Sequence, residues 1–474
     1  MSSATLARAS DFGPAVQGST LAFLARPYVF FLGLFLATMV ALTVDVPIVH
    51  NAAMRLRWPI LGLAAFFGAL QVAAHGLRRL HPASAALALV ILAAAFSAAW
   101  SLDPSYSAQR AASLGLLWAA TMLGVTAYAR TRENVAAVFD MLWWLGAAVV
   151  LGGFLFRMGE MGPGGRYVGL HDRATGAGTY AALFLPVAIY QVRYRFRGAA
   201  SFLGWGVVVA LSIQLLLAGA RMAMASSALI GLALGFAYFG RRALLAVVAL
   251  ALVLPVPLLL DQRAANRFQE RSEKFLRTKT ISTFTGRLDR WRFGLEKFAE
   301  RPLYGYGFGV SRTLAGRDEP WRFNLTPGEV FNLHSDQIEV LMDLGLLGYA
   351  PFALFWGLLG VAGLAAVRGR RIDPEARLRA MAMLGASAYA FGDTFMHGGF
   401  LAAGGGVAPF SWTMIAVFLA LSAAPSEPQA LDFVDGGDFA DLRESAASAR
   451  SRRPPQRRPP RDGLPSVRHV LAGG

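Results

Sequence analysis

Cysteine is absent from this chain, and charged residues are scarce. The first absence excludes disulfides, thiolate nucleophiles and Cys-ligated zinc or iron–sulfur centres. The second excludes an ordinary soluble domain, because only 16% of the 474 residues are charged, against about 25% in typical globular chains. What fills the space is apolar: 55% of residues are hydrophobic. Lys and Arg outnumber Asp and Glu, 45 to 29. They fall mostly in loops and in the C-terminal tail, so the surplus is no sign of nucleic-acid binding. Residues 1–26 are mixed and polar, and the first apolar run is too long for a cleaved secretory signal.

Apolar runs occur at 28–48, 58–75, 83–100, 110–128, 134–156, 176–192, 201–219, 222–240, 243–260, 340–367, 378–394 and 405–424. At about 20 residues per crossing, these predict an all-α polytopic integral membrane protein of about twelve spans. Its parts are a cytoplasmic N-terminus (1–27), a bundle (28–260), a large outside loop between the ninth and tenth spans (261–337), a second bundle (338–424) and a tail (425–474).

Charge placement orients the bundle, since short cytoplasmic loops are rich in Lys and Arg. With the N-terminus inside, Arg78 and Arg79, Arg130 and Arg132, the run Arg193, Arg195 and Arg197, Arg241 and Arg242, and the cluster from Arg368 to Arg379 all fall inside. Arg55 and Arg57, in the first outside loop, break the pattern. Both termini are therefore expected in the cytoplasm. The tail, with Ser451-Arg452-Arg453-Pro454-Pro455, has a composition that builds no core and reads as disordered, able to touch anionic headgroups.

Two outside loops carry the residues that suggest chemistry. His334, in Phe331-Asn332-Leu333-His334-Ser335-Asp336, stands where the large loop re-enters an apolar helix marked by Ile338, Leu341, Leu344 and Leu347. An imidazole there can accept a proton near neutral pH, and Asp336 is a secondary candidate beside it. An amphipathic stretch from Arg287 to Ala299, stopped by Pro302, places Arg287, Arg290 and Trp291 on neighbouring positions of one helix, with Arg292 following. Planar guanidinium forks suit phosphate oxygens. The same residues also suit a helix lying among lipid headgroups. Arg221, at the start of a span, is costly in the hydrocarbon and so is a candidate, or it snorkels to the interface. The other loop, 157–175, offers Arg166, His171 and Arg173 for sugar or phosphate contact. Two histidines so far apart supply no metal cluster.

These motifs resemble the O-antigen ligase and Wzy-type polysaccharide polymerase superfamily of membrane glycosyltransferases. The likeness rests on Leu217-Ala218-Gly219-Ala220-Arg221, on Gly286-Arg287-Leu288-Asp289-Arg290-Trp291 followed by Arg301-Pro302-Leu303-Tyr304-Gly305-Tyr306-Gly307, and on His334-Ser335 with the downstream Gly345-Leu346-Leu347-Gly348. The segment from Arg166 to Gly178 is similar to the family's preceding loop, although it lacks the Asn-containing pattern of many relatives.

The resemblance implies an inner-membrane enzyme whose donor is a glycan on undecaprenyl diphosphate. The transfer takes place at the periplasmic face without metal, nucleotide or other cofactor. The acceptor is lipid A–core for a ligase and a second lipid-linked repeat unit for a polymerase. His334 becomes the base on the acceptor hydroxyl, and Arg221, Arg287, Arg290 and Arg166 hold the diphosphate, with Trp291 beside them. The His334 and Gly345–Gly348 pair favours the ligase over the polymerase. A transporter of similar span number is the rival from another class; it places its charges near mid-membrane, whereas here they gather in one outside loop.

Overall fold

The computed structural model describes residues 24–44, 46–76, 80–157, 161–162, 166–171, 173–239, 282–323, 325, 331–368 and 374–422. The apolar run at 243–260, the loop's first part (261–281), both terminal segments, Asp172 and Arg241 lie outside them, as do Arg78, Arg79, Arg242, Arg370 and Arg371. The chain is an all-α, largely helical membrane protein: α1 (Tyr28–Ala41), α2 (Pro47–His75), α3 (Pro82–Ser97), α4 (Pro104–Trp118), α5 (Gly124–Tyr128), α6 (Arg132–Arg157), α7 (Ala174–Tyr194), α8 (Ala199–Ala218) and α9 (Arg221–Phe239) come first. Beyond residue 281 follow α10 (Ser282–Glu300), α11 (Ser311–Asp318), α12 (Asp336–Arg368), α13 (Pro374–Met396) and α14 (Ala408–Ser422). A two-residue hairpin, β1 (Met161–Gly162) with β2 (Arg166–Tyr167), is the one sheet among the described residues.

Among the described residues, five helices are long and apolar enough to cross a membrane by length and composition, namely α2, the α4–α5 run, α6, α8 and α12. Every residue of α14 from Ala408 to Leu419 is buried, so this helix is the centre of the bundle rather than a lipid-facing wall. By contrast α8 turns Phe202 and Leu203 outward, as suits a hydrocarbon surface. Between α4 and α5 the helix widens into a π turn at Ala119–Leu123, and Tyr28 Oη donates to the freed Ala120 carbonyl at 2.5 Å.

Two details differ from the sequence expectation. The first outside loop is helical: Pro47, fixed at a helical φ, starts α2 early, and Arg55 and Arg57 ride its first turns. Arg57, the exception to the charge rule, reaches the Gly404 carbonyl at 3.4 Å and stacks over Trp58. The second detail is a break in the expected span 340–367. Gly345 adopts φ 61°, ψ −158° inside α12, a region open to glycine alone. The helix axis shifts there, so Leu347 is exposed while Leu344 is buried.

That break is where the large loop docks. Its glycine-dense turn lends N–H groups to the interrupted helix, Tyr306 to Met342 O (3.2 Å) and Gly307 to Asp343 O (2.8 Å). In return Leu346 and Leu347, which restart the helix without partners of their own, donate to Pro302 O and Leu303 O at 2.8 and 3.0 Å. The Asp343 carboxylate then caps α11 from across the fold, accepting from Gly309 N (2.6 Å) and Ser311 N (2.8 Å). Phe293, Phe331, Leu333, Tyr306 and Met342 close a second, smaller core over this joint.

Candidate active site

His334 is the one non-glycine residue with positive φ among the described residues, at 55°. A side chain in that region costs about 1–2 kcal/mol, so something must hold it there. Three contacts do. Its N–H donates to Asn332 Oδ1 at 2.7 Å, closing a local turn. From α10, Arg290 Nη1 donates to Asn332 O at 2.7 Å and Trp291 Nε1 to Leu333 O at 3.1 Å. Arg290 also lies over the Phe331 ring, 5.0 Å from its centroid. The amphipathic helix is thus a clamp on the chain that carries the histidine. α12 begins at Asp336, two residues after His334, so the histidine belongs to the turn and not to the helix.

The surroundings of His334 are cationic. Burial first, then the charges of Arg290, Arg287, His397 and Arg173, push it down to about 4. The ring is therefore neutral at physiological pH and has a lone pair to offer, though it holds a proton poorly until an anion enters. Arg287 is the natural place for that anion. Among the described residues it meets no carboxylate, and its Nη1 lies 3.8 Å from Met396 Sδ. Burial lowers its pKa from the ordinary value, but a guanidinium stays charged under any working condition.

Behind the turn, buried carboxylates lock the loops in place. Asp336, 4% exposed, accepts from Gly399 N and Phe400 N at 2.8 and 3.0 Å. Its carboxylate fixes the chain after α13 and does not orient the imidazole. Glu339 lies 3.8 Å from Arg110 and 3.7 Å from Arg312. Gln337 Nε2 donates to Thr394 Oγ1 at 2.8 Å. Through these bonds the end of α13 is held against the His334 turn.

The other sequence candidates divide. Arg173 precedes α7, exposed and close enough to bear on His334. Arg166 Nε donates to Ala218 O at 2.7 Å, capping α8 where Gly219 ends it in a left-handed turn. Arg221 opens α9 with an exposed side chain; the next residue, Met222, sits beside Gly392 of α13. Arg292 faces outward near Glu296, away from the histidine. His171 is fully buried, stacked on Tyr180 at 4.6 Å and bonded through Nδ1 to Thr43 Oγ1 at 2.7 Å. Burial pushes it down to about 4, and its place is in the packing between α7 and the end of α1.

Sequence reading missed the residues after α13. His397 Nδ1 lies 2.7 Å from Asp393 Oδ1, one helical turn back, and its ring is close enough to bear on His334. The signal was present as a carboxylate and a histidine four residues apart at the end of a span. Chemically, the arrangement sets a neutral imidazole, able to accept a proton, under the charge of guanidinium groups able to meet an anion. The family model for the Wzy_C domain, described as O-antigen ligase, matches residues 206–353. That segment runs from α8 into α12 and includes Arg221, α10 and His334, while Asp393 and His397 lie beyond it. No curated protein matches the chain.

Proposed function

Because the chain belongs to the O-antigen ligase superfamily, we propose that it moves a glycan from undecaprenyl diphosphate to an acceptor hydroxyl at the periplasmic face of the bacterial inner membrane. The acceptor in this reading is lipid A–core. The observation that carries it is the His334 turn: a neutral imidazole held in a left-handed backbone, under the charge of an Arg287 guanidinium that no carboxylate among the described residues claims. Strain of this kind persists where the surrounding structure over-determines it, and it clusters at working sites.

In the proposed step His334 removes the acceptor proton as the new glycosidic bond forms with inversion at C1. Arg287 and Arg173 meet the negative charge that grows on the departing diphosphate. Arg290 and Trp291 keep the turn in place. The incoming diphosphate also offsets the cations that make His334 a weak base, so donor binding prepares the base for its proton. With the leaving charge met by arginine, the step calls for no metal or nucleotide.

The test incubates purified protein with lipid-linked repeat units, with and without lipid A–core. Product that depends on core supports the ligase. Elongation without core assigns a polymerase, and no glycosidic bond in either arm sinks the enzyme reading. In the same assay His334→Ala should lower transfer by about 100-fold or more while donor binding remains measurable.

A further inference from the structure

The pocket holds two histidines in opposite settings. His334 lies under the positive charges of Arg290, Arg287 and Arg173, with no carboxylate partner among the described residues. His397, side chain 29% exposed, has Nδ1 fixed on Asp393, whose own side chain is 17% exposed. Asp393 is placed in turn by Tyr389, whose Oη lies 3.3 Å from its Oδ1 and 2.8 Å from Thr179 Oγ1 of α7. The backbone after His397 is tied at Gly399 and Phe400 to Asp336. A ring held through Nδ1 keeps Nε2 for other contacts, and a carboxylate at Nδ1 compensates the imidazolium form. Met396, the preceding residue, touches the Arg287 guanidinium, which brings the chain that carries His397 up to Arg287.

We propose that His397, held by Asp393, donates the proton to the diphosphate oxygen that leaves the glycan. This rests on the transfer reading above. As the acceptor oxygen bonds to C1, its proton passes to His334. The bond from C1 to the diphosphate oxygen breaks, the electron pair stays on that oxygen, and the oxygen takes the proton of His397 Nε2. His334 then returns its proton to water and His397 regains one. The net products are the glycoside and the protonated lipid diphosphate.

The experiment measures transfer by the full-length protein from a lipid-diphosphate-linked glycan, in wild type, His397→Gln, Asp393→Asn and the double variant. With Arg287 already meeting much of the charge, kcat is expected to fall about 10–100-fold in His397→Gln. Donor KM and melting temperature should stay at the wild-type values. Asp393→Asn should lower kcat in the same direction, and the double variant should be no slower than His397→Gln, as for residues that act as a unit. Unchanged kcat in His397→Gln, or a raised donor KM at unchanged kcat, would overturn the proposal. If His397→Gln does not fold, Asp393→Asn decides by the same split. Wild-type protein that forms no glycosidic bond refutes the underlying transfer reading; active wild type with an unimpaired His397→Gln refutes only the role of His397.

Discussion

At the scale of single residues, His334 combines two costs, a left-handed backbone and a neutral ring among cations, and each leads to a measurement. The backbone cost separates two inactive variants. His334→Gly and His334→Ala both lose the imidazole, but only glycine occupies φ 55° freely. The glycine variant should therefore be the more stable of the two by about 1 kcal/mol, read as a higher melting temperature in detergent; the reverse order would mean that the turn is unstrained. The charge cost sets the pH profile. His334 works only when neutral, so in the free protein its limb in kcat/KM lies near pH 4, with activity lost below it. Bound diphosphate offsets Arg287 and Arg173 and favours the protonated ring, which moves the limb in kcat upward toward the ordinary histidine value. Coincident limbs would disconnect His334 from the anion site. Arg287→Lys replaces a planar fork by a point charge and should lower kcat/KM about tenfold; wild-type activity would leave Arg287 as a lipid contact.

At the scale of elements, α10 and the break in α12 do the positioning, and the sequence disclosed them unequally. The 3.6-residue periodicity from Arg287 to Ala299 marked an amphipathic helix, and Pro302 marked its end, because both are local properties. That Arg290 and Trp291 would bind backbone carbonyls of residues 332 and 333 was not legible, since spacing within one helix says nothing about what lies across from it. Gly345 was visible as part of a Gly-x-x-Gly motif, but its reason is tertiary: a Cβ there would lie 2.5 Å from the Leu303 carbonyl carbon. Gly345→Ala combines that clash with a forbidden φ and should cost several-fold more stability than the roughly 1 kcal/mol of an ordinary Gly-to-Ala backbone effect. Loss of the monodisperse folded protein in size-exclusion chromatography is the expected result, and a wild-type elution profile and melting curve would show that the break is dispensable. Trp291→Phe keeps an aromatic ring but removes the N–H to Leu333 O together with part of the indole. It should slow transfer with little change in melting temperature, which a paired assay of rate and unfolding would show.

At the scale of the whole molecule, the site draws on chain segments near 173, 287–291, 332–339 and 393–400, and the sequence announced all but the last. The first three lie in polar loops, where charge stands out against an apolar chain. The last is a four-residue pattern at a helix end, meaningful only once Gln337 and Asp336 are seen to bind Thr394, Gly399 and Phe400. The loops around 171, 334 and 397, which the positive-inside rule expects on one side, lie at one end of the bundle; the side of the membrane that this end faces rests on the charge rule alone. At the other end Arg195 pairs with Asp140 at 2.8 Å and Arg379 with Glu375 at 2.6 Å. The absence of cysteine makes this orientation directly measurable, since any single introduced thiol is the only one in the chain. Arg317, on α11 beside the pocket, has a side chain 65% exposed, and Arg197, between α7 and α8 at the opposite end, is exposed as well. In spheroplasts, Arg317→Cys should react with a membrane-impermeant maleimide at once, and Arg197→Cys only after the inner membrane is permeabilised. Labelling in the opposite order would place the pocket in the cytoplasm, where no periplasmic acceptor can reach His334, and the proposed transfer would fall with it.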